Sequence, residues 1–210
     1  MATTKTQRIG IWIIAIFMAV GTIGSFAIIV LANENSQKEQ AHIKELQDKY
    51  QADQAAQAIA LSDKYFATVS QYASRAAAFD AASVAELATE DLVVGDGADI
   101  TADSTFSAYY IGWGPDGTVF DSSLDGEKLK APFSVSPGGV IEGWTKGATG
   151  MKVGGVRELT IPSDLAYGES GSGDTIAPNT PLKFVVMIIP TPKSVDVPSE
   201  ILDYYAKQGY

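Results

Sequence analysis

The residues that most often perform covalent or redox chemistry are nearly missing from this chain, which has one histidine and no cysteine. Zinc sites built from Cys and His, iron–sulfur clusters, c-type haem, thiol redox and cysteine nucleophiles are therefore excluded within it. The lack of cysteine says nothing about compartment. His42 sits in a run rich in Ala, Gln, Lys and Glu, so it reads as a solvated helix residue, and no Ser-His-Asp triad builds around it. Asp96, Asp99 and Asp103 crowd one loop, but their spacing misses the calcium pattern D-x-[DN]-x-[DN]-G. Gly168-Glu-Ser-Gly-Ser-Gly173 has neither the Lys-Ser/Thr nor the helix start of a phosphate cradle, and no G-x-S-x-G elbow occurs. The chain is otherwise well supplied with large aromatics, 8 Phe, 9 Tyr and 3 Trp. Taken singly, such rings are more often core residues, and Asp121 alone is a turn or capping residue.

The elements that must position these rings begin well downstream of the N-terminus. From Ile9 to Ala32 the chain carries no charge, long enough for a helix to cross a bilayer. The competing reading is a cleaved secretory signal ending at Val30-Leu31-Ala32, though signal cores are shorter. Lys5 and Arg8 precede the run and favour the N-terminus inside, with everything after Asn33 outside. Residues 36 to about 80 lack Pro and Gly and favour helix. Ile59, Phe66, Val69, Ala73 and Ala76 fall near a heptad seam, so a spacer that self-associates weakly is expected. Ser83-x-x-Glu86 reads as a capping box for one further short turn.

After Glu90 the pattern changes to short apolar strands bounded by turns. Strands are expected at Asp91–Gly97, Thr105–Ile111, Thr118–Asp121, Val156–Ile161 and Leu182–Ile189, with a short helix within Gly139–Gly147. The result is an α+β domain, a small antiparallel sheet with one short helix packed on it. Prolines punctuate the chain after Pro190, and Ser199–Tyr205 reads as a short amphipathic helix capped by Ser199. The organisation expected is therefore 1–8 a tail, 9–32 a transmembrane helix, 33–87 a mostly helical spacer, 88–190 the domain and 191–210 a C-terminal tail. With 15 basic against 25 acidic residues and a net charge of -10, nucleic acid is excluded as a partner.

The domain resembles the FK506-binding-protein (FKBP) family of peptidyl-prolyl isomerases over about half the chain. The likeness is carried by Tyr110-Ile-Gly112, Gly117-Thr-Val-Phe-Asp-Ser-Ser123, Val140-Ile-Glu-Gly-Trp144, Met151-Lys-Val-Gly154, Ile161-Pro-Ser-Asp-Leu-Ala-Tyr-Gly168 and Asn179 through Phe184. All stand in the family's order and spacing, apart from an insertion after Asp121. The resemblance implies a half-open antiparallel sheet wrapped around one short helix, with a shallow apolar pocket between them. It implies that Tyr110, Phe120, Phe133 and Phe184 form aromatic walls and that Trp144 is the floor under the proline ring. It also implies that Val140 and Ile141 lead into the helix, the Ile141 N–H and the Tyr167 hydroxyl bind substrate carbonyls, Ile176 closes the rim, and Asp121 faces the pocket. Two places depart from the family: only Lys128 or Lys130 could pair with Asp121, and the loop Glu169–Pro178 carries Ser172, Asp174 and Thr175 in place of bulkier residues.

The chemistry of that family suits a domain poor in His, Cys and paired carboxylates. Rotation about an Xaa–Pro bond crosses a barrier of roughly 18–20 kcal/mol without breaking a bond, so no cofactor, metal or general base is required. The twisted transition state is less dipolar than the planar amide, and a dry aromatic pocket favours it. The function implied is a membrane-tethered isomerase of Xaa–Pro bonds that assists protein folding. It would be single-pass in the cell membrane with its domain extracytoplasmic, would take proline-containing polypeptides as substrates, and would bind FK506- or rapamycin-like macrolides. The alternative is a tethered chaperone or assembly module that grips proline-containing segments with little catalytic role. A tethered β-rich domain without pocket activity would leave the joint spacing of the aromatics unexplained.

Overall fold

The structure, a computed structural model, describes residues 34–209. The expected membrane anchor at Ile9–Ala32 and the tail before it lie outside the described residues. Among the described residues no helix is long and apolar enough to cross a membrane. Two compact units are present. One spans Asp53–Val195, and the other joins the helical residues before Asp53 to the chain from Asp196 onward. Helix α1 (Glu34–Ser70) gives its first part to the second unit and its remainder to the larger one.

In the larger unit the elements are β1 (Ala88–Val93), β2 (Phe106–Trp113), β3 (Val119–Ser122), β4 (Leu124–Asp125), β5 (Lys128–Leu129), β6 (Phe133–Val135), helix α2 (Glu142–Ala148), β7 (Val156–Ile161) and β8 (Leu182–Ile189). The sheet is antiparallel in the order β1-β7-β8-β2-β3. On the edge of β2 away from β8, β3 pairs with Ile111–Trp113 and β6 with Phe106–Ala108. The β4–β5 hairpin lies between them in sequence and pairs only with itself. Strands β7 and β8 match their expected bounds. The first expected strand lies earlier, at Ala88–Val93, while β4, β5 and β6 were not foreseen. They are two or three residues long, too short to leave a periodic signal.

The central strands β2 and β8 are buried on both faces. Phe106, Ala108, Phe184, Val186 and Ile188 point to an inner core that includes Trp144. Tyr109, Ile111, Trp113, Val185, Met187 and Ile189 point to an outer core. The inner face is covered by α2, whose Gly143 and Gly147 let it lie against β7. A Cβ on Gly143 would stand 2.3 Å from Ile161 Cγ2, and one on Gly147 would stand 2.7 Å from Leu159 Cδ2. The outer face is covered by the second part of α1, through Tyr65 and Val69 with Leu61 and Phe66 beside them.

The segment expected to be a spacer therefore supplies part of the core, and the heptad seam needs correction. Ile59 is 60% exposed, whereas Ser62, Tyr65 and Val69 are buried; the stripe fits a sheet face and not a second helix. Beyond Ser70 the chain continues over the same face as a strap with two 3-10 turns, Ala73–Arg75 and Ala81–Ser83. Trp113 Nε1 donates to the Ala77 carbonyl at 3.2 Å, and the Phe79 N–H donates to the Pro115 carbonyl at 2.9 Å. The capping-box expectation is also corrected. Asp80 caps the second turn, accepting from the Ala82 N–H at 3.0 Å, and Ser83 ends it.

In the second unit, helix α3 (Ser199–Lys207) follows Pro198, which occupies the N-cap place expected for Ser199. Gln47 Nε2 donates to the Tyr205 hydroxyl at 2.8 Å, and Ile43 and Ile201 are both buried. His42 is exposed on α1.

One buried polar atom in the outer core has no hydrogen-bond partner, the Tyr109 hydroxyl. Its ring, 1% exposed, lies 5.8 Å from that of Tyr65, and burial pushes its phenol up to about 12. A phenol raised in the fold contributes stability that is fully present below its ordinary value near 10 and lost as pH rises through about 12. Tyr109→Phe removes an unpaired buried hydroxyl and should stabilise the protein by about 1 kcal/mol. The wild-type urea midpoint should fall faster above pH 10 than that of the variant. Destabilisation by Tyr109→Phe would show that the hydroxyl is satisfied.

Candidate active site

Between the inner face of the sheet, α2 and the chain leading into it lies an open cavity of about 510 Å³, within the range of small-ligand clefts. It is lined by Tyr110, Phe120, Asp121, Phe133, Val140, Ile141, Trp144, Tyr167 and Phe184, together with Gly138 and Gly139. The structure thus gathers nine of the ten residues named from sequence around one space. Ile176 is the exception. It is 6% exposed and packs in the inner core, with its N–H and carbonyl both bonded to Ser172. Gly138 and Gly139 were missed, because lining residues without side chains leave no chemical signature in the sequence.

Trp144 is the hub of the aromatic walls. Its ring makes edge contacts with Tyr110 at 5.4 Å, Phe184 at 5.4 Å and Phe133 at 6.0 Å, with interplanar angles of 82°, 85° and 82°. Edge-to-face packing of this kind fixes ring orientation beyond simple area burial. Phe120 meets Phe184 at 5.5 Å. That junction depends on Gly112, where a Cβ would come within 2.6 Å of Phe184 and 2.8 Å of Phe120. Trp144 is 4% exposed, whereas Phe133 and Tyr167 are each 39% exposed on the rim.

One corner of the cavity is polar. The Tyr110 hydroxyl donates to Asp121 Oδ2 at 2.5 Å, and the Ser122 N–H donates to Asp121 Oδ1 at 2.7 Å. Lys130 supplies the basic partner: its Nζ lies 3.6 Å from Asp121 Oδ1 and donates to the Ser122 carbonyl at 2.7 Å. Lys128 instead pairs in register with Asp125 across the hairpin. Both carboxylate oxygens are therefore engaged, so Asp121 holds its neighbours in place and is not free as a base. Burial, and then the hydrogen bond to Asp121, pushes the Tyr110 phenol far above its ordinary value. Burial, and then the Asp121 charge, raises that of Tyr167. Both hydroxyls stay protonated and able to donate.

The family model for FKBP-type peptidyl-prolyl cis-trans isomerases matches residues 97–189. Over 103 residues the chain is 42% identical to an FK506-binding protein of Neisseria meningitidis serogroup B, covering 49% of this chain and 94% of that relative. The chain belongs to the FKBP-type peptidyl-prolyl cis-trans isomerases. An FK506-binding protein of Streptomyces anulatus is 44% identical over 108 residues, 50% of this chain and 86% of the relative. A solved peptidyl-prolyl cis-trans isomerase of Pseudomonas syringae pv. tomato is 29% identical, covers 62% of this chain and 96% of its own, and superposes with a TM-score of 0.45. The FKBP-type match falls inside the expected 88–190 stretch, while the compact unit that contains it extends back to Asp53.

The depth of Trp144 in this FKBP-type cavity follows from how closely α2 approaches β7. Gly143→Ala adds a methyl group that collides with Ile161. Despite the better helix propensity of Ala, it should destabilise by about 1–3 kcal/mol and lift Trp144 from its place. Lys146→Ala, on the exposed face of α2 with an i,i+4 partner in Glu142, should change stability by about 0.5 kcal/mol or less. Chemical denaturation of the two variants side by side checks the contrast.

Proposed function

We propose that the cavity is where this isomerase turns over Xaa–Pro bonds. The proline ring would rest on Trp144 between Tyr110, Phe120 and Phe184, with Phe133 and Val140 at the mouth. The Ile141 N–H and the Tyr167 hydroxyl would hold the carbonyls that flank the rotating bond. Asp121 would keep the Tyr110 ring and its phenol fixed, stabilised in turn by Lys130. The observation that carries this reading is a single cavity whose walls are aromatic and whose polar groups are two protonated phenols and an engaged carboxylate. Such a site supplies desolvation and a few directed donors, which suit a reaction that only rotates an amide. FK506-like macrolides are proposed as competing occupants of the same space.

The biological setting belongs to the same proposal. The uncharged run Ile9–Ala32, preceded by Lys5 and Arg8, supports a single-pass protein with its N-terminus inside and the isomerase outside the membrane. There it would assist the folding of proteins whose Xaa–Pro bonds otherwise isomerise in tens to hundreds of seconds.

Two measurements test the reading. With a short Xaa–Pro peptide, Trp144→Ala should lose about tenfold or more in kcat/KM, roughly 1.4 kcal/mol or more of transition-state stabilisation, and Tyr167→Phe about threefold. A folded chain that binds the peptide without accelerating its isomerisation would leave a tethered proline-binding module as the account. The second measurement is the pH profile. No histidine lines the cavity, and the phenols are raised and so remain donors below pH 10. Hence kcat/KM should be flat between about pH 6 and pH 9. A bell-shaped profile in that range would mean proton transfer and overturn the mechanism.

A further inference from the structure

The β4–β5 hairpin is the insertion that follows Asp121, and it has little to hold itself. Its strands have two residues each and pair only with one another, far below what forms a stable hairpin alone. Yet the residue just after it, Lys130, is the one beside Asp121. Lys130 and Asp121 are both about half exposed, and an ion pair of that kind contributes little order by itself. The Lys130 backbone must be placed by something else.

That placement comes from α1. Ser62 is 7% exposed, and its Oγ accepts from the Leu129 N–H at 2.9 Å, a buried bond between residues 67 positions apart. The Leu129 side chain is likewise 7% exposed and packs in the outer core with Tyr65 and Val69. From Leu129 the connections run directly to the cavity. The Lys130 N–H donates to the Ser123 carbonyl at 2.8 Å, and Lys130 Nζ reaches the Ser122 carbonyl and Asp121. Ser123, 3% exposed, is bonded at both its N–H and its Oγ to the backbone of Tyr110.

We propose that Ser62 is a positioning residue of the isomerase cavity. Its hydroxyl fixes the hairpin at Leu129, the hairpin sets Lys130, and Lys130 and Ser123 together hold Asp121 against the Tyr110 hydroxyl. The helix that covers the outer face of the sheet thus orders the polar corner on the inner face. The catalytic part of this inference rests on the isomerase reading of the cavity; the positioning part does not.

The test uses the full chain with Ser62→Ala, Ser62→Thr, Lys130→Met and the Ser62→Ala/Lys130→Met double variant, each assayed on an Xaa–Pro peptide and by amide hydrogen exchange. Ser62→Ala leaves the Leu129 N–H buried and unpaired and should lower kcat/KM about three- to tenfold. Ser62→Thr, which keeps the hydroxyl, should restore it. The double variant should be no worse than Lys130→Met alone, because both act through one connection. The Ser122 amide, which donates to Asp121, should exchange about tenfold faster in Ser62→Ala. Wild-type activity in Ser62→Ala, additive losses in the double variant, or faster exchange confined to Leu129 would each overturn the proposal. If the parent chain fails to turn over the peptide, the isomerase reading fails, and Ser122 exchange alone decides whether Ser62 positions the corner.

Discussion

Side chains alternate across β2 and β8, and in this protein both sets are mostly apolar, so the sheet has two faces that must be kept from water. Tyr109, Ile111, Trp113, Val156 and Ile189 on the outer face are each 1% exposed or less. At roughly 1.5–3 kcal/mol for each large side chain buried, the outer cover is comparable with the whole stability of a typical domain, about 5–15 kcal/mol. The second part of α1 and the strap after it are therefore part of the fold. An antiparallel sheet with one solvated face would alternate apolar and polar residues along its strands. Strand β8, Leu-Lys-Phe-Val-Val-Met-Ile-Ile, does not.

The inner face is constrained in a different way. An isomerase that breaks no bond gains nothing from a nucleophile, and its chemistry depends on how dry and how rigid its walls are. Rigidity here comes from glycine as much as from aromatics. Gly143 lets α2 approach Ile161 and sinks Trp144, while Gly112 lets the Phe120 and Phe184 rings meet over the strand. The carboxylate that remains is engaged on both oxygens: Asp121 is held by Tyr110, Ser122 and Lys130.

Much of this was legible in the sequence, and the failures share one cause. Strands β7 and β8 and the short helix could be read from locally dense patterns of apolar residues and turns, while nine of the ten residues named through the FKBP resemblance line the cavity. Ile176, expected through the resemblance to close the rim, packs in the inner core instead, and a loop residue between Thr175 and Ala177 carries no period that says which way it faces. The outer cover was misread because α1 has the composition of a solvated helix. Its buried stripe of Ser62, Tyr65 and Val69 includes a polar residue and only two large apolar ones. The hydrogen-bond partner of Ser62 lies 67 positions away, which no local spacing encodes.

The strap shows how such a long-range cover can be held in one register. Glu158 on β7 is 7% exposed and faces the outer side of the sheet. Arg75 Nε lies 2.5 Å from one of its carboxylate oxygens and Lys183 Nζ 2.9 Å from the other. A buried carboxylate is a poor source of net stability, because its desolvation offsets most of what its partners contribute. Its pairing with Arg75 adds a directed contact between the strap and β7, beside the Lys183 pair within the sheet. Arg75 also reaches Glu90 on β1 at 2.8 Å, so one guanidinium joins the strap to two neighbouring strands. Apolar contacts through Tyr72, Ala76 and Phe79 set no register by themselves; the Trp113–Ala77 and Phe79–Pro115 hydrogen bonds do so together with the Arg75 pairs. These directed contacts hold the strap just after α1 ends, once residues 61–69 have covered the sheet.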